Sequence, residues 1–577
     1  MKLPAVFVLC ALLIVSASGF AIDREAFTFT HYDLDVRLEP DQQRLAARGK
    51  ITLRNDSSIA QKRAVLQISS SLDWRSIQAG GQNVQFVTQP YTSDIDHTGG
   101  LSEAIVTFPQ EVAPKANVEL EVGYEGTIAL DTTRLHGIGT PEDAARHADW
   151  DQISPRFTAV RGAGYVAWYP VAMNAADLAE GNTVFDTLEE WKARESNAEM
   201  KISLKLLRGN GSEPYDHPFA LLNADNCVSL YEQMSRAQEI NAQCSYPRLG
   251  LTVPTFFAAD DHTIENSAVR VHFRLHDDAA ATVFSLAAQR VSYFVQSWFG
   301  APKRIVEVVE LPDPADIPFE SGSMFLTPFS NDPKLAENVL VHQLAHAAFR
   351  SPRPWIHEGL AHFAQAIYRE QQTGRQSALD FMGAQRAALA ETEKLAAAKP
   401  DFSSTQSLVS STSEVFYRSK AMFVWWMLRD MVGEETLRKA IAAYRGDEDK
   451  EPSNMQKLIL AQNKRDLEWF FDDWVYRDRG LPDFRIESAY PRPTVAGAYV
   501  ITVTVENLGM AGAEVPVVVR MSGGDVAKRL EVRGKSKASI RIEVPAQPAE
   551  VVVNDGSVPE SDVSNNSFKV EVNDRNK

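Results

Sequence analysis

The period of apolar and polar positions changes twice along the chain. From about residue 26 to 130 it runs in twos. Phe27-Thr-Phe-Thr-His-Tyr-Asp-Leu-Asp-Val-Arg-Leu38, Gly49-Lys-Ile-Thr-Leu-Arg-Asn55 and Val118-Glu-Leu-Glu-Val-Gly-Tyr124 each place apolar side chains on one face and polar ones on the other, which predicts half-buried strands. Turn clusters such as Asn55-Asp-Ser-Ser58 and Thr98-Gly-Gly-Leu101 separate them, so this region reads as an antiparallel β domain. Residues 130–180 keep no regular period and carry Trp168-Tyr-Pro170, and Lys201-Ile-Ser-Leu-Lys-Leu-Leu207 returns to strand character.

At about 279 the period lengthens. Ala279 to Phe299 has apolar residues at helical spacing without Pro or Gly, and Gly300 stops it. Arg304–Leu311 reads as a strand. Asp332-Pro333 supplies an N-cap and a first-turn proline for a helix that runs to about Phe349. Residues 355–398 and 413–447 read as further helices. Phe416, Tyr417, Phe423, Trp425 and Trp426 form a stripe suited to packing, with Tyr417 set aside as a candidate site residue. From about 487 the alternation returns in Tyr499–Asn507, Glu514–Arg520, Ala538–Val544 and Glu550–Asn554, short strands between turns that predict an immunoglobulin-like sandwich. The fold class is therefore multidomain α+β: 1–21 a signal peptide, 22–250 an N-terminal antiparallel β domain, 251–486 a mostly helical domain, and 487–577 the sandwich.

The 577 residues exceed what a single core holds. The formal net charge of -17 argues against nucleic acid or an anionic membrane surface as the main partner, since both require a basic footprint. Lys2, the apolar run Ala5–Val15 and the small residues Ser16–Ala21 have the order of a secretory signal cleaved after Ala21. No later segment offers the roughly 18 consecutive apolar residues of a membrane span, so an exported mature chain is expected. Cys10 leaves with the signal, and Cys227 and Cys244 are expected to form a disulfide.

The candidate chemistry lies at Val341-His342-Gln343-Leu344-Ala345-His346 and Glu358-Gly359. His342 and His346 share one helix face. Glu358 opens a second helix beyond a corner marked by Pro352 and Pro354. Two imidazoles with a carboxylate from a neighbouring helix are the donors of a catalytic zinc site, so Zn2+ is the expected cofactor. A lone pair of histidines at this spacing is weak, but four of the twelve histidines fall within residues 342–362. Gln343 stands where a zinc hydrolase carries the glutamate that takes and returns a proton, and an amide does neither. Glu320 and Glu337 replace it only if the fold brings them in, with Glu337 facing away from Gln343 on its helix. His357 and His362 are the other nearby groups.

These motifs, with His31-Tyr-Asp-Leu-Asp-Val36, Trp168-Tyr-Pro170, Phe299-Gly-Ala-Pro302 and Trp474…Gly480-Leu-Pro482, resemble the aminopeptidase N-like family of zinc metallopeptidases over about residues 26–485. These are gluzincins with a thermolysin-like catalytic domain. The resemblance implies zinc on His342, His346 and Glu358 and a peptide or protein substrate. It also places the family's Gly-Ala-Met-Glu-Asn motif on Gly322-Ser-Met-Phe-Leu326. Gly322, Ser323 and Met324 are then substrate-contact positions, and Phe325 stands where the family's Glu binds the substrate amine. The gap from His346 to Glu358 is shorter than in typical aminopeptidases. The family's oxyanion-stabilising Tyr lies two residues before a Lys-Gly; here Tyr417 lies three before Lys420-Ala421 and Arg418 two, which leaves both as candidates. The tail resembles bacterial adhesion-type immunoglobulin-like modules through Val505–Gly509 and Glu560–Asn566. The implied function is an exported zinc metallopeptidase weakened at Gln343. The alternative is a pseudo-peptidase that binds zinc and a peptide or protein without turnover.

Overall fold

The structure, a computed structural model, describes residues 22–180, 183–207, 218–222, 228–229, 239–260, 262–274, 278–302, 304–397, 407–411, 413–495 and 497–570. The segment 1–21 and Cys227 lie outside them. Cys244 is disulfide-bonded and buried.

The alternating patterns fold into sheets. Phe27–Glu39 pairs antiparallel with Arg44–Asn55 and parallel with Glu199–Leu207, inside an eight-stranded sheet. Phe29, Tyr32, Leu34, Val36 and Leu38 form its buried face. A three-stranded sheet of Gln61–Ser69, Gly100–Val112 and Gln85–Thr92 shares its core. Trp168 and Tyr169, from the stretch without a period, are fully buried in that core. The Tyr32 hydroxyl donates to the Pro170 carbonyl at 2.9 Å. The Trp-Tyr-Pro motif thus closes the β domain from inside. Helix α1 (Thr183–Arg194) packs on this domain through Val184, Leu188 and Trp191.

A five-stranded sheet follows, in the order His262–Glu265, Val269–Phe273, Val306–Glu310, Met324–Thr327, Phe319–Ser321. The inner strands run parallel and both edges antiparallel. The last two strands form an edge hairpin, turned at Gly322 with φ 62°. Helices α2 (Asp278–Phe299) and α3 (Pro333–Ala348) lie against it, and α4 (Pro354–Thr373) packs on α3. Asp332 caps α3 as expected, its carboxylate accepting the Lys334 N–H at 2.9 Å with Pro333 in the first turn. The stretch read as helical over 355–398 holds three helices: α4, α5 (Arg375–Gly383) and α6 (Arg386–Ala397). Residues 413–447 likewise hold α7 (Ala421–Val432) and α8 (Glu434–Ala443). Gly374 at φ 95° and Gly433 at φ 84° end α4 and α7 in backbone conformations that favour glycine.

Two antiparallel sheets close the chain. One holds Phe484–Pro493, Tyr499–Asn507 and Lys537–Val544; the other holds Gly524–Val532, Ala513–Met521, Pro548–Val553 and Ser567–Lys569. Their apolar faces join the core of the helical region. The junction is also hydrogen-bonded: Trp474 Nε1–H donates to the Gly512 carbonyl at 2.7 Å, and the Gly512 N–H to Asp473 at 2.9 Å. Among the described residues no helix is long and apolar enough to cross a membrane.

Two features of the packing can be tested directly. A Cβ on Gly359 would meet Ala421 Cβ at 2.6 Å and Trp425 Cδ1 at 3.0 Å, so α4 and α7 approach to a distance only glycine permits. Gly359→Ala is expected to cost about 1–3 kcal/mol of stability, measured by denaturant unfolding. In the β domain, Glu195 is fully buried, with Oε1 accepting the Phe29 N–H at 3.1 Å and Oε2 without a partner. Burial pushes its carboxyl from 4.5 up to about 8. The folded state then keeps a proton that the unfolded chain has released, so this group costs stability progressively from pH 4.5 to about 8 and uniformly above. Glu195→Gln keeps the accepting oxygen and removes the charge. Its melting temperature is expected to fall less than the wild type's between pH 5 and 8; equal slopes would remove Glu195 as the cause.

Candidate metal centre

Helix α3 carries His342 and His346 one turn apart, and α4 brings Glu358 back over them. The corner between the helices, residues 349–353, is fixed by a buried polar network. The Arg353 guanidinium grips the Asp449 carboxylate at 2.8 and 2.9 Å. Asp449 also accepts the Tyr444 hydroxyl at 2.6 Å, so Ser351 Oγ must be the donor in its 2.7 Å bond to the Tyr444 oxygen. Ser351 Oγ in turn accepts the Arg353 N–H at 3.1 Å.

The result is a cluster of four donors, Glu320, His342, His346 and Glu358, whose candidate ligand atoms all lie within 4.8 Å of one another. Glu320 comes from the edge hairpin. His342 Nε2 lies 2.9 Å from Glu320 Oε1 and 3.0 Å from His346 Nε2. His346 Nε2 lies 3.5 Å from Glu320 and 3.6 Å from Glu358. Tetrahedral bonds of about 2.0–2.1 Å would set such donors about 3.3 Å apart, and the four separations bracket that value. The Nδ1 atoms of both histidines have no hydrogen-bond partner among the described residues, and the two Nε2 atoms face the same point. The cluster can therefore hold a metal ion.

Burial opposes the charges of Glu320, His346 and Glu358, and their neighbours outweigh it. The carboxylates of Glu320 and Glu358 lie well below their ordinary range, held ionised by the imidazoles beside them. Glu358 and Glu320 together raise His346 to about 10. His357 and His362 are the reverse case. Burial pushes both down to about 3, so both are neutral. Their rings pack on the donors, His357 against His346 at 4.1 Å and His362 against His342 at 4.7 Å between centroids.

Gln343 is 1 % exposed beside the cluster. Its Nε2 donates to the Gly322 carbonyl at 3.1 Å, and its Oε1 has no partner. Glu337 is not brought in: it bonds Arg290 at 2.6 Å and Tyr368 at 2.9 Å on the far side of α3. Of the substrate-contact positions placed by resemblance, Gly322 lines the cleft. Ser323 gives its carbonyl to Glu307 N–H at 2.8 Å, and Met324 is in the core. Phe325 lines the cleft opposite Glu320, its partner in the hairpin register, so the two stand on the same face.

Tyr417 and Arg418 both line the cleft. Residues Val415–Lys420 wind as a π-helical turn, which accommodates one more residue than an α-turn. Arg418 Nε lies 3.2 Å from Glu358, and its guanidinium also pairs with Glu414. Burial pushes the Tyr417 phenol up, so it stays protonated. The cleft has a volume of about 700 Å³, within the usual range for ligand sites. Its far wall, which sequence reading does not place, is α1 of the β domain, contributing Phe185, Leu188, Glu189 and Lys192.

No family model and no curated protein matches this chain. Among solved structures, a mutant M1 zinc metallopeptidase from Deinococcus radiodurans bound to Tyr-Ser-Ala substrate is 15% identical, with a TM-score of 0.47 over 78% of this chain and 94% of that one. Legionella pneumophila aminopeptidase A in complex with aspartic acid is 12% identical, with a TM-score of 0.59 over 93% of this chain and 59% of that chain. The chain thus spans less than two thirds of the Legionella enzyme. Over almost all of its own length it shares that enzyme's fold: a β-rich N-terminal region, a helical middle and C-terminal sheets.

Proposed function

We propose that this protein is an exported, zinc-binding, peptidase-like protein that takes a peptide into the cleft and hydrolyses it weakly because Gln343 is no base. His342, His346 and Glu358 are the zinc ligands, with Glu320 as a fourth donor beside them. The observation that carries the reading is the convergence of these four donors on one point at the floor of a peptide-sized cleft. The fold shared with Legionella pneumophila aminopeptidase A supports it. The order of residues 1–21 and the disulfide at Cys244 support export.

A bound zinc would supply Lewis acidity to a carbonyl oxygen in the cleft. The remaining work falls to this chain's residues. Apolar groups at Tyr165, Phe185, Leu188 and Phe319 line the walls and exclude water from a peptide's side chains. Tyr417 O–H and the Arg418 guanidinium are the donors available to a developing oxyanion. Gln343 Nε2 is occupied by the Gly322 carbonyl, and an amide neither removes a proton from water nor returns one to a leaving amine. The second reading, binding without turnover, is favoured by one observation: Glu320 Oε1 stands 2.9 and 3.5 Å from the two imidazole nitrogens, in the space an attacking water would need. The C-terminal sheets are proposed to be an immunoglobulin-like module that binds or spaces.

The purified mature protein is expected to carry about one zinc per chain by elemental analysis, removable by chelator, and His346→Ala is expected to carry none. Absence of zinc in the wild type would overturn the reading. Gln343→Glu is expected to raise peptide hydrolysis by about 10²–10⁴-fold, the usual share of general acid–base catalysis. Equal rates in both forms would show that Gln343 is not what limits turnover.

A further inference from the structure

We infer that Glu320 is itself a metal ligand, the fourth, and that Gln343 is the positioning residue that holds it there, so that the resting protein closes its own metal site and a substrate oxygen reaches the metal only by displacing Glu320. The inference rests on the zinc-binding reading above and concerns which residue fills the position that a catalytic site leaves open.

Three observations converge on it. First, Glu320 is placed as a donor. Its oxygen is as close to His342 Nε2 as the two imidazole nitrogens are to each other, at 2.9 and 3.0 Å. Among the described residues its hydrogen-bond and ion-pair partners are His342 and His346 alone. The carboxylate of Glu358, by contrast, shares its second oxygen with Arg418 at 3.2 Å. Second, four protein donors make a closed shell. Three protein donors and a free position make a reactive site, and four are the pattern of structural zinc.

Third, the hairpin that carries Glu320 is tied down from the position a catalytic carboxylate would occupy. Glu320 sits two residues before Gly322, on a strand of Phe319–Ser321 at the edge of the sheet. Among the described residues no strand flanks it on its outer side. Its body is held by the Ser321 hydroxyl on the Val253 carbonyl at 2.9 Å and by the Phe319 ring against Tyr165, which leaves the turn after Glu320 to be fixed by contacts from α3. Gln343 supplies such a contact, its Nε2–H bonded to the Gly322 carbonyl at 3.1 Å. The amide orientation follows from this partner, since the reversed amide would set two carbonyl oxygens against each other. Only a donor can make this bond. An ionised glutamate at 343 has acceptors alone, would repel the Gly322 carbonyl, and would release the turn. The single letter that removes the base therefore also creates the clamp. The protein gives up an open metal position and gains a fourth ligand from its own chain.

The test uses the full-length mature protein loaded with Co2+, whose visible spectrum reports coordination number, and acetohydroxamate as an added ligand. Zinc affinity is measured in parallel by chelator competition. In the wild type the cobalt spectrum is expected to be that of a four-coordinate ion and to stay unchanged on adding acetohydroxamate. In Glu320→Gln and Glu320→Ala the added ligand is expected to bind and shift the spectrum, and zinc affinity to fall by about 10–100-fold or more, the size of effect that even an outer partner of a metal ligand has. In Gln343→Glu acetohydroxamate is expected to gain access while Glu320 is still present. Circular dichroism of each variant confirms folding, and because Glu320 is 25 % exposed on an edge strand both substitutions leave the core intact. If acetohydroxamate shifts the wild-type spectrum as readily as that of the Glu320 variants, and their zinc affinities agree, Glu320 is no ligand and the inference fails while the zinc site stands. A Gln343→Glu protein that stays closed would overturn the clamp. Wild-type protein that takes up neither cobalt nor zinc would overturn the zinc-binding reading, and this inference with it.

Discussion

The site depends on the corner between α3 and α4. Across residues 349–353 the chain must reverse within a few residues, so that a carboxylate on one helix meets two imidazoles on the other. A short, proline-flanked turn cannot do this on backbone preference alone, and the Arg353–Asp449–Tyr444–Ser351 network holds it. A bidentate guanidinium–carboxylate pair fixes direction as well as distance. Asp449 is fully enclosed, so its partners are not exchangeable with water. Gly446 belongs to the same arrangement, because a Cβ there would lie 2.5 Å from the Arg350 carbonyl. Tyr444, Gly446 and Asp449, which hold the corner, are thus separated from the donors by about a hundred positions in sequence and carry no metal-site signature of their own.

Around that corner the molecule has two characters. The scaffold is a cleft with the four donors on its floor, Tyr417 and Arg418 on one wall and α1 of the β domain on the other. Beside the donors stands Gln343, where the proposed chemistry would call for a base. An amide in that position is not only the absence of a base. It is a donor, and it uses its N–H on the hairpin that carries Glu320. The neutral His357 and His362 complete the floor as packing groups, their rings against His346 and His342.

Much of this was legible in the sequence, for physical reasons that can be named. Alternation over Phe27–Leu38 marks a sheet face because the opposite face meets solvent, and Asp332-Pro333 marks α3 because its cap is local. The spacing of His342 and His346 needs only the helix period. What sequence could not give is what depends on tertiary pairing. The strand Phe319–Ser321 is three residues long, too short to show a period, so Glu320 could be named only as a group the fold would have to deliver. The π-turn at Val415–Lys420, which brings Tyr417 and Arg418 both to the cleft, has no local signal in the sequence. Gly374 and Gly433 were present as helix breakers inside stretches whose apolar spacing continued past them. The buried Trp168-Tyr-Pro170, read as a motif of an irregular stretch, proves to be a plug of the β core.

The central claim is that Glu320, His342, His346 and Glu358 hold one zinc ion between them. A crystal structure of the zinc-loaded protein, with anomalous scattering recorded at the zinc absorption edge, tests it most directly. A single peak is expected within about 2.0–2.2 Å of one oxygen from each glutamate and one nitrogen from each histidine. A peak bonded to His342, His346 and Glu358 with a water in the fourth position would contradict the role given to Glu320, and no peak at all would contradict the site.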